Sequence, residues 1–233
     1  MDRDSLPPWS SKQAVVRLRD GLIALLVGVL GASGAVAQTT AASTAAAAKE
    51  LQPYRVRYQV SYRGMSGGQI EATLRRGSHP GQWLYETRAY PNLFGRVAVS
   101  PAARERSTIY VSGSEVRPAN FSFDDGSTET AKDVQLRFDW TQKRVTGTSE
   151  NVPIDLPLSP GTQDTASVQA AMLVELLAGR RPAGFKILTG KSIKDYRYWS
   201  EGPATVVTPK GQFNAVVWAN AAGFGGAGAP RHP

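Results

Sequence analysis

Three successive runs between residues 54 and 90 alternate apolar and polar side chains, and this period of two constrains the fold more than any other feature. In YRVRYQVSY (54–62), Tyr54, Val56, Tyr58, Val60 and Tyr62 fall on one side and Arg55, Arg57, Gln59 and Ser61 on the other. That is the pattern of a strand with one buried and one wet face. Gly64, Gly67 and Gly68 predict a turn, after which Ile70, Ala72 and Leu74 alternate again; Gly77, Pro80 and Gly81 predict the next turn, leading into residues 82–90. Further short strands are expected at 104–111, 118–123, 134–140, 144–149, 185–188, 193–199, 205–208 and 213–218. Spacings of about 8–12 residues with Gly, Pro, Asn or Asp between strands are the mark of an antiparallel sandwich or barrel.

One segment departs from the period. Val168, Met172, Leu173, Leu176 and Leu177 recur at helical spacing, with Asp164 placed as an N-cap and Gly179 as a stop. The fold expected is therefore mostly β: an antiparallel meander forming a barrel-like or half-barrel sheet, with one packing helix over about 164–178. The Met/Leu stripe is read as core packing against the sheet.

The N-terminus carries an address. Arg3, Lys12, Arg17 and Arg19 precede the apolar run 21–30, and Ala35, Val36 and Ala37 form an A-x-A cleavage site, so residues 1–37 are read as a secretory signal peptide. The alternative, an uncleaved membrane anchor, draws on Asp2, Asp4 and Asp20, which dilute the leader's charge. Its strongly apolar stretch is roughly half of the ~20 residues that a spanning helix needs. The chain has no cysteine, which excludes an N-terminal lipidated cysteine and disulfides alike. Residues 38–50 form an Ala/Thr-rich disordered spacer, 51–218 a single β-rich domain and 219–233 a disordered tail without strand or helix period.

Charge narrows the partners. The chain is +8 overall and, without the four Lys/Arg and three Asp/Glu of 1–37, +7. Such a balance favours anionic lipid or envelope polysaccharide. The arginines are scattered and no nucleic-acid motif is present, so nucleic acid is not expected.

Catalytic apparatus is sparse. The two histidines, His79 in a Ser-His-Pro-Gly turn and His232 beside the terminus, fit neither a zinc site nor a serine triad. Asp124, Asp125 and Gly126 read as a turn. Acid pairs for a glycosidase-like mechanism remain formally open, with Asp164 and Asp139 as the residues to replace. No catalytic, cofactor-binding or metal-ligating residue is expected, and no cofactor. The aromatics offer a different site: Tyr58, Trp83, Tyr85, Trp140, Tyr196 and Trp199 are the residues expected to line a ligand surface, if they do not simply fill a closed core.

Several short motifs occur in order. They are Tyr54-x-Val-x-Tyr58, Gly64 and Gly68 before Ile70, Arg104-Glu-Arg-Ser107, Phe138-Asp-Trp140, Gly161-Thr-Gln-Asp164 with Ser167, and Lys194-Asp-Tyr196. Together they resemble the bacterial envelope family called domain of unknown function 3108, over roughly residues 51–218. The resemblance implies a Gram-negative exported protein of mostly antiparallel sheet, and it carries over no site residue. It also implies further strands after Trp218, where this sequence runs into its irregular tail, so a truncated or frameshifted C-terminus is expected.

The expected function is that of an exported periplasmic, non-enzymatic protein, membrane-proximal but not spanning, that binds an anionic lipid or other envelope amphiphile. The alternatives are an outer-membrane β-barrel and a carboxylate-dependent enzyme acting on envelope glycan.

Overall fold

The cleanest alternation in the sequence becomes strand β1 (Tyr54–Tyr62) in a computed structural model that describes residues 50–62, 64–208 and 211–222. The chain then meanders through β2 (Met65–Arg76), β3 (Gln82–Pro91), β4 (Arg104–Ser112), β5 (Glu115–Asp124), β6 (Val134–Asp139), β7 (Arg144–Ser149) and β8 (Val152–Pro157). Each strand pairs with its successor, so the order in this eight-stranded sheet is the order in sequence. All seven pairings are antiparallel. The sheet is open, with β1 and β8 as its edges, and of the two forms expected it is the half-barrel.

Register fixes which side chains face inward, because residues opposite one another in a ladder share a face. One transect crosses all eight strands: Tyr54, Leu74, Tyr85, Ser107, Phe121, Leu136, Gly147 and Ile154. Leu74 and Tyr85 are almost wholly buried there, as are Ile109 and Val145 nearby. The next row outward, from Arg55 and Thr73 through Glu86 and Arg106 to Ser122 and Gln135, is the solvated face. On it Glu86 bridges Arg88 and Arg106, and Glu71 bridges Arg55 and Arg57.

The chain then makes a second sheet, ordered β12, β11, β10, β9. Its members are β9 (Thr162–Gln163), β10 (Gly184–Thr189), β11 (Ser192–Thr208) and β12 (Gly211–Ala222), with helix α1 (Ser167–Leu177) between β9 and β10 in sequence. The helix is apolar on more than one side. Ala166, just before it, and Ala170, Ala171 and Val174 enter the core formed with the large sheet, whereas Val168 packs on Ile187 and Tyr196 of the small one. A helix that buries several faces sits inside a core rather than on it. Its alanines let it approach both neighbours closely.

Departures from the expected elements have local causes. The regular helix begins at Ser167, three residues past Asp164, because Asp164 stands outside it as the capping acceptor. Strand β8 follows a two-residue turn of Glu150 and Asn151, both at positive φ, which the sequence does not advertise with glycine. The expected strands 193–199 and 205–208 are one strand, β11, with a bulge at Glu201 between Ser200 and Gly202, after which Gly202 and Pro203 pair with Val217 and Val216. Strand β12 continues to Ala222, four residues beyond the expected end of the domain, because 219–222 pair with Tyr196 to Trp199. The expected signal peptide 1–37, the spacer before residue 50 and the tail beyond 222 lie outside the described residues. No helix among the described residues is long and apolar enough to cross a membrane.

Candidate functional site

Where the chain leaves the large sheet to enter α1, it brings together a buried carboxyl, Asp164, and a half-buried one, Glu105. Asp164 is fully buried. Its Oδ1 accepts the backbone N–H groups of Ala166 (2.9 Å) and Ser167 (2.6 Å), and its Oδ2 accepts the Ser107 hydroxyl (2.7 Å). Ser167 Oγ in turn accepts the Asp164 N–H at 2.8 Å, a reciprocal cap that satisfies two donors at once. One residue on, Thr165 Oγ1 donates to Glu105 Oε1 at 2.5 Å, and Thr87 Oγ1 donates to Glu105 Oε2 at 3.3 Å. The helix entry is thereby stitched to β4 and, through Thr87, to β3.

The electrostatics follow from burial without compensation. Among the described residues no cation pairs with either acid. Burial pushes Asp164 up to about 7, against the donors that favour its charged form, and the charge of Glu105 pushes the same way. Glu105 is also pushed up by burial, against the hydroxyls of Thr165 and Thr87. A paired, raised Glu and Asp would suit proton transfer, yet both oxygens of Asp164 are already committed to the helix cap and to Ser107. Asp139, the other acid singled out, accepts the Gln142 N–H in a turn at 2.8 Å.

Beyond Glu105 the inner face changes character. Helix α1 approaches β5 and β4 most closely, and on the inner face of β1 to β3 Tyr54, Tyr58 and Tyr85 stand among Val56, Ala72 and Leu74. Tyr54 and Tyr58 are half-buried along β1, next to the wholly buried Tyr85 on β3. Burial raises all three phenols, Tyr58 to about 12. The Tyr85 hydroxyl lies against that of Tyr54 and within the influence of Glu105.

The six aromatics expected to line a ligand surface divide among four places. Tyr58, Trp83 and Tyr85 share the inner face of β1 and β3, although Trp83 and Tyr85 are core side chains, only 4% and 1% exposed. Arg76 stacks on the Trp83 ring at 4.6 Å. Trp140 is half-buried just past β6, its Nε1–H held by the Pro118 carbonyl at 2.7 Å. Tyr196 belongs to the small cluster with Val168 and Ile187, and Trp199, half-buried on β11, packs in neither cluster. Glu105, Ser107 and Thr165 are not among the expected site residues; Glu105 and Ser107 stand in the Arg104-Glu-Arg-Ser107 motif, which carries no role with it, and Tyr54 heads the first alternating run.

Two other clusters were weighed. Asp124, Asp125 and Asp133 bring carboxylate oxygens within 4.8 Å of one another, a spacing that a divalent cation could use. Their oxygens serve the turn instead, accepting the N–H groups of Gly126, Ser127 and Asp125. A groove of about 590 Å³ runs between α1 and β10, with Glu175, Arg181, Phe185 and Tyr196 in its walls. Its Lys186 and Asp195 neutralise each other at 2.9 Å.

Residues 54–222 match the family described as "Protein of unknown function (DUF3108)"; the match runs from the first residue of β1 to the last of β12. No curated protein and no solved structure matches the chain. With nearly three-quarters of its length inside that match, the chain belongs to the DUF3108 family.

Proposed function

We propose that this chain is an exported periplasmic protein without catalytic activity that holds a lipid or other amphiphilic envelope component on the tyrosine end of its half-barrel. One observation carries the reading: Tyr54 and Tyr58 stand half-buried beside Tyr85 on inner-face strands away from β4 and β5, the strands of this sheet that the helix approaches most closely. Tyrosine presents an apolar ring to an acyl chain and a hydroxyl to a polar head. The positive balance of the chain favours an anionic head. The leader of basic, apolar and small residues in order supports export.

An outer-membrane barrel has less support. A spanning sheet must close so that no strand edge meets lipid, and this sheet has two edges. A carboxylate enzyme is disfavoured by the commitment of both Asp164 oxygens.

The test is to express the full chain in a Gram-negative host, release the periplasm by osmotic shock, and extract the purified protein for lipid mass spectrometry. The expected result is release without detergent, loss of residues 1–37, and a co-purifying amphiphile that Tyr58→Ala reduces severalfold. Retention in the membrane until detergent is added would favour the barrel, and a lipid-free wild-type protein would refute the binding.

A further inference from the structure

Between β3 and β4 the chain exposes an apolar tip that no core explains. Leu93 is 79% exposed, Phe94 75% and Val97 91%, and Met65 at the head of β2 is 62% exposed. Single exposed apolar residues are ordinary, whereas a contiguous set marks a contact surface. The tip is also held in place. The Asn92 N–H donates to the Gly67 carbonyl (3.1 Å), Asn92 Nδ2 donates to the Ser66 carbonyl (2.7 Å), and the Gly95 N–H donates to Asn92 Oδ1 (2.9 Å). A Cβ at Gly95 would lie 1.9 Å from the Gly67 carbonyl oxygen, so only glycine allows the 3₁₀ turn Gly95–Val97 to seat against β2.

The rim of this tip is basic and aromatic. Arg96 is exposed within the turn. Tyr90, 43% exposed, has the Arg57 guanidinium 5.4 Å from its ring centre, and Arg88 lies beside it on β3. Residues 91–103 contain no acid.

We infer that this tip is a membrane-docking element, and that its occupant is the surface of an anionic bilayer. Leu93, Phe94 and Val97 would enter the headgroup boundary, with Tyr90 at the interface and Arg96 toward the lipid phosphates, while Arg57 and Arg88 behind it stay paired with Glu71 and Glu86. The charge pattern selects this occupant: an apolar tip ringed by tyrosine and arginine is the composition that interfacial segments use. With three-quarters or more of Leu93, Phe94 and Val97 open to solvent, these side chains are free to insert shallowly into a bilayer surface. The surface lies apart from the Tyr54, Tyr58 and Tyr85 face and does not depend on amphiphile binding there.

The test is cosedimentation of the purified full-length chain with vesicles of phosphatidylglycerol and phosphatidylethanolamine, against vesicles of phosphatidylcholine alone. The chain should bind the anionic vesicles, and binding should weaken at about 0.5 M salt, where the Debye length shrinks to several ångströms. Phe94→Ser with Val97→Ser should weaken it at least about tenfold while leaving the circular dichroism spectrum and any co-purifying amphiphile unchanged. Leu93→Ser is an independent second variant, and Arg96→Gln should lower binding to the anionic vesicles specifically. No binding by the wild type, or equal binding by the double variant, would overturn the proposal. So would a self-associating wild type, made monomeric by the double variant, that ignores vesicles. Vesicle binding by a chain that carries no amphiphile would support this surface while refuting the tyrosine site, so the two failures are distinguishable.

Discussion

At the scale of single residues, Asp164 is where folding and chemistry meet most closely. Its folded value of about 7 stands above the ordinary 3.8, so between about pH 4 and 7 the folded state holds a proton that the unfolded state has released. That contribution to stability is complete below about pH 4 and is lost as pH rises through about 7. Urea unfolding across this range should show stability falling toward neutrality, by a few kcal/mol at most. Asp164→Asn keeps an oxygen for the cap and removes the titration, so it should flatten much of the slope and leave the smaller share owed to Glu105. Asp164→Ala also strands the donors of Ala166, Ser167 and Ser107 and should cost about 2 kcal/mol or more. The capping role of Asp164 was legible because a cap is local. Its partners were not, because Ser107 lies 57 positions away and the Thr165 to Glu105 contact spans 60. Tertiary register created that site.

Among the elements, strands were readable wherever one face is wet. β1 was found at its observed bounds because its edge position preserves the alternation. β8 alternates Val152, Ile154 and Leu156 with Pro153, Asp155 and Pro157, but the prolines mask the strand and its turn, made by Glu150 and Asn151 at φ 52° and 60°, lacks the glycine that usually announces one. Gly147 shows how an element can hang on one residue. It sits at φ 146°, where an added Cβ would lie 1.9 Å from the Gln135 carbonyl oxygen on the neighbouring strand. Gly147→Ala should therefore separate β6 from β7 locally and lower stability by about 2–3 kcal/mol. Chemical denaturation would measure the loss, and faster amide exchange at Leu136 and Val145 would locate it.

For the whole molecule, the organising feature is a helix held between an open meander and a second sheet. The antiparallel meander and its packing helix were legible from period alone, whereas the choice of half-barrel over closed barrel was not. The placement of α1 over β4 and β5 was not, since a helix buried on several sides gives no preferred direction in the sequence. Ala170 is fully buried in this layer, and Ala170→Leu should overpack it at a cost of about 1–3 kcal/mol, seen as a lower Tm. The same placement leaves Tyr54, Tyr58 and Tyr85 on inner-face strands beyond the helix, and the proposed binding rests on that. The direct test is NMR chemical-shift mapping of the isotopically labelled protein during titration with an anionic lysophospholipid below its micelle concentration. Saturable shifts should centre on Tyr54, Val56, Tyr58, Tyr85 and Thr87 and leave Trp199 and β12 unmoved. No saturable shifts, or shifts confined to β10 and β11 around Lys186 and Asp195, would contradict the account.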